Sequence, residues 1–258
     1  MDSMPERNRS TLKPLKWYKD LATREGRIEA GAFLVEGARA ISQLVHNHPD
    51  EVREILFTTE LPTLYQKFAN RRVTESQLHS ICSSQTPQGN AAVIRMPADI
   101  YSDNLPGAPG NRILLLEDIQ DPGNVGTLIR TAVAFGFSGV ILTEKCADLL
   151  SPKCVQSTAG TMLSLWIRRT HGYLELTKAL KGDSYKLVAA DLEGVEDPSL
   201  LQGKEKLLLA LGNEASGLSA EILQAADSRL RIPIDRTKAE SLNVAACGAI
   251  CMYLSSAK

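Results

Sequence analysis

Two unbroken apolar runs stand out along the chain, Ile113–Leu116 and Leu207–Leu211. Short runs without polar alternation predict strands buried on both faces, as in a parallel sheet. After the first run the period changes. Glu117 and Asp118 begin a polar loop broken by Pro122 and Gly123, and Val125, Leu128, Ile129, Ala132 and Val133 then fall at helical spacing. Gly139–Leu142 closes a strand–loop–helix–strand unit. Ligands of open parallel sheets bind beyond the carboxyl ends of strands, which makes Glu117–Asn124 the first loop to suspect of chemistry.

Before this unit, residues 10–30 mix basic residues with Leu12, Leu15, Trp17, Tyr18 and Leu21 and predict an amphipathic helix. Strands are expected at Ala32–Val35, Val52–Phe57 and Ala91–Arg95, with a strand edge at Arg72–Thr74. Helices are expected from Gly37 to about His46, over Leu61–Ala69 and over Glu75–Cys82. This alternation predicts a small α/β domain, 1–105. Residues 96–112 hold three prolines and two glycines, the composition of a linker, and a second domain is expected over 106–258. There Ser151-Pro152 starts a helix to about Leu163, and Leu165–Arg168 and Leu187–Ala190 read as strands around a helix at Tyr173–Lys181. Ser219 caps a short helix through Ala226, and Arg229–Ile234 is the last strand. The helix from Val244 has almost no polar face, so it is expected to be buried on every side, at a homodimer interface or inside the fold.

Composition narrows the classes. Hydrophobic content of 43% and charged content of 23% suit a globular domain, and a net charge of −1 gives no global field for nucleic acid. RNA contact would need local patches, for which Lys13, Lys16, Lys19, Arg71, Arg72, Lys145, Lys153, Arg168 and Arg169 are candidates. No apolar run reaches the ~20 residues of a membrane span, and MDSMPERNRS lacks a signal-peptide core, so a cytoplasmic protein without membrane contact is expected. Five cysteines without a C-x-x-C pair argue against a disulfide framework, and Cys247 and Cys251 read as buried thiols. The four histidines show no ligand spacing, so no metal is expected.

Neither glycine cluster, DPGNVG or GNEASG, matches a dinucleotide fingerprint, and a P-loop and a nucleophile elbow are also missing. What remains is three polar loops, each following a strand of the second domain. They present Asn124 with Arg130, Asn213 with Glu214, and Ser241 with Asn243. Taken singly, each reads first as a turn or a helix cap; three of them after three strands is a stronger signal. Asn124 is placed to cap the helix that follows it, and Arg130 to lean back toward the loop mouth.

Three motifs, EDIQDPGNVGTLIRTAVAFG, LLLALGNEASGLS and RIPIDRTKAESLNVAA, resemble in order and spacing the SpoU branch of the SPOUT-class RNA 2′-O-ribose methyltransferases. FLVEG and TPQGNAAV resemble the substrate-recruiting domain often attached to that family. The resemblance implies an α/β protein in which a knotted parallel-sheet methyltransferase domain follows a small α/β RNA-recruiting domain. It implies a homodimer whose active sites draw on both subunits, with S-adenosylmethionine held in a deep trefoil knot. Carried over by motif position, Leu211, Gly212, Ile232 and Leu242 would bind the cofactor, largely through backbone. Arg130 would act on the ribose 2′-hydroxyl. Asn124 would orient Arg130 or the ribose, Glu214 would pair with Arg130, and Ser241 and Asn243 would complete the pocket. Guanidinium does not deprotonate in proteins, so Arg130 is expected to stabilise charge on the oxygen and not to act as a base. The implied substrate is ribosomal RNA. Transfer RNA is the alternative within the class, a non-catalytic RNA-binding or assembly factor the alternative outside it, and an oxidoreductase a distant third.

Overall fold

The structure, a computed structural model, describes residues 13–84 and 86–256. One unit runs through Ala98 and takes in Leu150–Leu163; the other comprises Asp99–Leu149 and the chain from Ser164. In the first unit the basic, aromatic stretch folds as two short helices instead of one, α1 (Leu15–Asp20) and α2 (Arg24–Ala30). Thr23 breaks them apart, because its hydroxyl accepts from the Gly26 N–H and caps α2. There follow β1 (Ala32–Glu36), α3 (Ala38–Asn47), β2 (Val52–Phe57), β3 (Asn70–Arg72), α4 (Glu75–Ile81) and β4 (Asn90–Arg95). They build a four-stranded sheet of order β1-β4-β2-β3, in which only β2 and β3 run parallel. Leu61–Ala69 yields one 3-10 turn, Thr63–Tyr65, and not the expected helix. Its positions at helical spacing do not share a buried side: Tyr65 and Phe68 are inside while Leu64 is half exposed.

The second unit opens with the predicted strand–loop–helix–strand, β5 (Arg112–Leu116), α5 (Pro122–Ala134) and β6 (Gly139–Thr143). Next comes α6 (Pro152–Ser157), which belongs to the first unit and stops well short of Leu163 because Ala159 and Gly160 both take positive φ. Ser151 occupies its cap position without a side-chain hydrogen bond. The chain returns through β7 (Trp166–Thr170), α7 (Tyr173–Gly182), β8 (Lys186–Val195), β9 (Leu207–Leu211), α8 (Ala220–Ala225), β10 (Ser228–Leu230) and α9 (Val244–Ser256). The six strands lie in the order β10-β8-β9-β5-β6-β7 and every pairing is parallel. Ile113–Leu116 and all of β9 are buried, as unbroken apolar runs in the centre of a parallel sheet must be. The sheet thus brings the loops after β5 and β9 side by side at its carboxyl edge.

α9 is not buried on every side. Val244, Ala245, Gly248, Cys251 and Met252 face inward, against α5 and the sheet, while Ile250 and Tyr253 are exposed by 38% and 60%. Gly248 lets the helix come this close: a Cβ there would lie 2.3 Å from Leu128 Cδ2 and 2.7 Å from Leu211 Cδ1.

Candidate active site

The helix cap after β5 is Asp121 and not Asn124. Pro122 takes the first helical position, which suits its fixed φ, and the Asp121 carboxylate accepts from the Asn124 backbone N–H at 3.0 Å. The Asn124 side chain is thereby released for other work. Its amide nitrogen donates to Glu214 at 2.8 Å, and its oxygen accepts from the Asn243 amide at 3.1 Å. Asn243 in turn caps α9, accepting the N–H groups of Ala245 and Ala246. Three side chains separated by 90 and 119 positions along the chain therefore form one hydrogen-bonded row.

Arg130 stands outside this row. It is exposed, and among the described residues it makes no hydrogen bond or ion pair, so the expected Glu214–Arg130 pair is replaced by Glu214–Asn124. Helix geometry gives the reason: six residues carry it about 9 Å along α5 from Asn124 and rotate it by about 240°. Ser241 lines the neighbouring cavity without a side-chain hydrogen bond among the described residues.

That cavity, of about 340 Å³, is walled by the β9 loop (Leu211–Leu218), the end of β8 and the stretch from Leu230 to Cys247. Leu211, Gly212, Ile232 and Leu242 all line it, beside Leu230 and Ile234. Its charged lining residues are all acidic: Asp191, Glu193 and Glu214. The backbone groups of Ile232 and Leu242 make no hydrogen bond among the described residues and so are free to bind a ligand. Gly212 needs its missing side chain for its own loop: a Cβ would sit 2.3 Å from the Gly217 carbonyl carbon. Asn213 closes that loop, exchanging backbone hydrogen bonds with Gly217 and accepting from Ala215 and Ser216 at its side-chain oxygen. Cys247 lines the cavity and is half-buried, unlike the buried Cys251; hydrogen bonding with Cys251 holds its thiol below the usual range.

Sequence reading missed the two residues that anchor these loops. Glu117, 3% exposed, accepts from Tyr173 and from the Ser219 N–H, and Asp118 accepts the Asn213 side-chain amide at its carbonyl. Acidic residues directly after a buried strand were the available signal. Two of the basic candidates are structural. Arg168 is buried, paired with Asp99 at 2.7 Å and stacked on Trp166, and buried Arg169 donates to the carbonyls of Glu144 and Cys146. Lys16, Lys19 and Arg72 are exposed.

A six-stranded parallel sheet whose loops gather asparagines and a carboxylate beside an apolar cavity has a clear counterpart among known proteins. Residues 111–253 match the model of the SpoU rRNA Methylase family, and the chain belongs to that family. Residues 13–92 match the MRM3-like substrate binding domain. The 23S rRNA (guanosine(2553)-2′-O)-methyltransferase RlmP of Bacillus subtilis is 31% identical over 93% of this chain and 94% of its own. The 23S rRNA (uridine(2479)-2′-O)-methyltransferase of Streptomyces viridochromogenes is 30% identical over 92% and 87%. Among solved structures, the SpoU methyltransferase AviRb from Streptomyces viridochromogenes in complex with AdoMet superposes with a TM-score of 0.81 at 28% identity, covering 94% of this chain and 96% of that one.

Proposed function

We propose that this chain methylates a ribose 2′-hydroxyl of ribosomal RNA of the 23S type, with S-adenosylmethionine as donor. The observation that carries the reading is the convergence of Asn124, Glu214 and Asn243 beside a cavity lined by Leu211, Gly212, Ile232 and Leu242. The cavity fits the cofactor. Asp191 and Glu193 of its lining pair with Arg229 and Arg236, whereas Glu214 meets no cation among the described residues and suits a sulfonium. The walls are largely apolar, and free backbone groups at Ile232 and Leu242 can read a purine edge. When bound, the cofactor supplies an electrophilic methyl group with a good leaving group behind it.

The chain's own work is positioning and charge control. The Asn124–Glu214–Asn243 row fixes the amide and carboxylate groups that would orient the sugar, with Asn124 in the middle holding the other two loops. Arg130 stabilises negative charge developing on the 2′-oxygen, and the proton leaves to phosphate or water, because a guanidinium stays protonated. Its place on the exposed stripe of α5, with Thr127 and Ala134, supports a homodimer in which Arg130 completes the site of a second copy. The exposed apolar residues Ala246, Ile250 and Tyr253 of α9 support the same assembly. The knot implied by the motifs fits a chain that leaves the sheet edge at β10 and returns to pack α9 on α5.

Ribosomal RNA is favoured over transfer RNA because two relatives that match across both units are named for 23S rRNA. The match at residues 13–92 supports RNA recruitment by 1–105, leaving catalysis to 106–258, in the cytoplasm where the RNA is. Two relatives modify a guanosine and a uridine, so the ribose and not the base is the shared element. Arg130→Ala is expected to abolish tritium transfer from labelled cofactor to ribosomal RNA while calorimetry shows cofactor binding nearly unchanged. Turnover close to that of the unaltered enzyme would refute the role. A chain that binds RNA but no cofactor would be an assembly factor instead.

A further inference from the structure

The loop that follows β9 has little of its own to hold it in place. Its internal hydrogen bonds, between Asn213 and Gly217, shape the tip but do not attach it to the sheet. Apart from the Asn124–Glu214 hydrogen bond at its tip, the attachments come from one dipeptide at the end of β5. The Glu117 backbone N–H donates to the Leu211 carbonyl at 2.9 Å, at the start of the loop. The Glu117 carboxylate accepts the Ser219 N–H at 2.8 Å, at its finish. The Asp118 carbonyl, on a backbone turned to φ 58, accepts the Asn213 side-chain amide at 2.8 Å in between. The second carboxylate oxygen of Glu117 accepts the Tyr173 hydroxyl at 2.9 Å, which stops the group from rotating.

We propose that Glu117 is a positioning residue for cofactor binding: held by Tyr173, it grips both ends of the cavity loop and so sets the spacing of Leu211, Gly212 and Leu218. This inference rests on the cofactor reading above. A carboxylate buried to this degree is costly unless its oxygens are filled, and both are filled here by donors that lead to the loop or to α7. Burial first, and Glu117 second, push the Tyr173 phenol up to about 12, so it remains a donor throughout the neutral range. Glu117 holds the two ends of the β9 loop, while Asn124 separately holds Glu214 at its tip, so the effect of Glu117 falls on cofactor affinity and not on the transfer step.

The test compares Glu117→Ala, Glu117→Gln and Tyr173→Phe with the unaltered chain. The readouts are the cofactor dissociation constant by calorimetry and kcat and KM at saturating RNA. Glu117→Ala is expected to weaken cofactor binding about tenfold or more, the worth of a hydrogen bond to a charged group, with kcat at saturating cofactor held within about twofold. Glu117→Gln should restore most of the affinity, since its oxygen can still accept from Ser219 and its amide can donate to the phenol oxygen. Tyr173→Phe should weaken binding about threefold, and it carries the test if the alanine variant does not fold. A folded Glu117→Ala with unchanged affinity, a Tyr173→Phe with unchanged affinity, or a loss confined to kcat each overturns the proposal. If the unaltered chain itself binds no cofactor, the functional reading falls and takes this inference with it.

Discussion

Gly248→Ala puts the packing beneath the cofactor cavity to a direct test, because two effects of opposite sign meet at one position. In an ordinary helix interior the change would stabilise by about 1 kcal/mol, since alanine loses less backbone freedom than glycine. Here the new methyl would lie 2.3 Å from one leucine methyl and 2.7 Å from another. Those leucines, Leu128 and Leu211, are 0% and 1% exposed and have no solvent to turn into. Overpacking of this kind costs about 1–3 kcal/mol, so the net effect is a loss of about 1 kcal/mol. For a chain of this size that lowers the midpoint of thermal unfolding by about 2–4 °C. Leu211 also lines the cavity, so cofactor affinity should drop with the midpoint. Differential scanning fluorimetry with and without cofactor reads both. A midpoint that rises by about 2–4 °C would refute the reasoning, for it would mean that the leucines had room to spare.

Gly212→Ala should be more severe, because its methyl would meet backbone of Gly217 and Leu218, within 2.3–2.4 Å, instead of flexible side-chain ends. Loss of measurable cofactor binding in a chain that still folds is the expected result, and near-normal affinity by calorimetry would contradict it. Alkali gives another test. Tyr18 and Tyr173 are pushed up to about 12 from 10.0, in both cases mainly by burial and then by the neighbouring Glu54 and Glu117. Below pH 10 both phenols are protonated whether folded or not; between pH 10 and 12 only the unfolded chain releases the protons, so stability falls with rising pH. Urea midpoints measured across that window should decline less steeply in Tyr18→Phe and in Tyr173→Phe, and parallel slopes would count against the assignment.

The sheet was readable from the chain because its central strands are uniformly apolar, and a run such as Leu207–Leu211 has few other places to go. The cavity-lining residues were readable only through the motifs, since backbone binding leaves no mark on side-chain chemistry. Local rules misled where two of them competed. Asn124 is a good capping residue, but the Asp-Pro pair just before it is a better one, and that outcome decides where the amide points. Leu61–Ala69 has helical spacing but too little buried surface to reward a helix. α9 is apolar throughout, which predicts burial without saying whether this chain or a second copy supplies it. Glu117 looked like the start of an ordinary polar loop, because its partners, Tyr173 and Ser219, lie 56 and 102 positions away.

Those long separations bear on how the enzyme comes into being. The cavity wall is drawn from residues 190–193, 211–218 and 230–247, so a chain that has not yet brought these three segments together offers the methyl donor nothing to grip. Ligand present during folding therefore acts solely on the finished state, by mass action, adding about 2.7 kcal/mol at one hundred times its dissociation constant. In a cell rich in the donor, the supply of substrate doubles as a guard on the integrity of the catalyst.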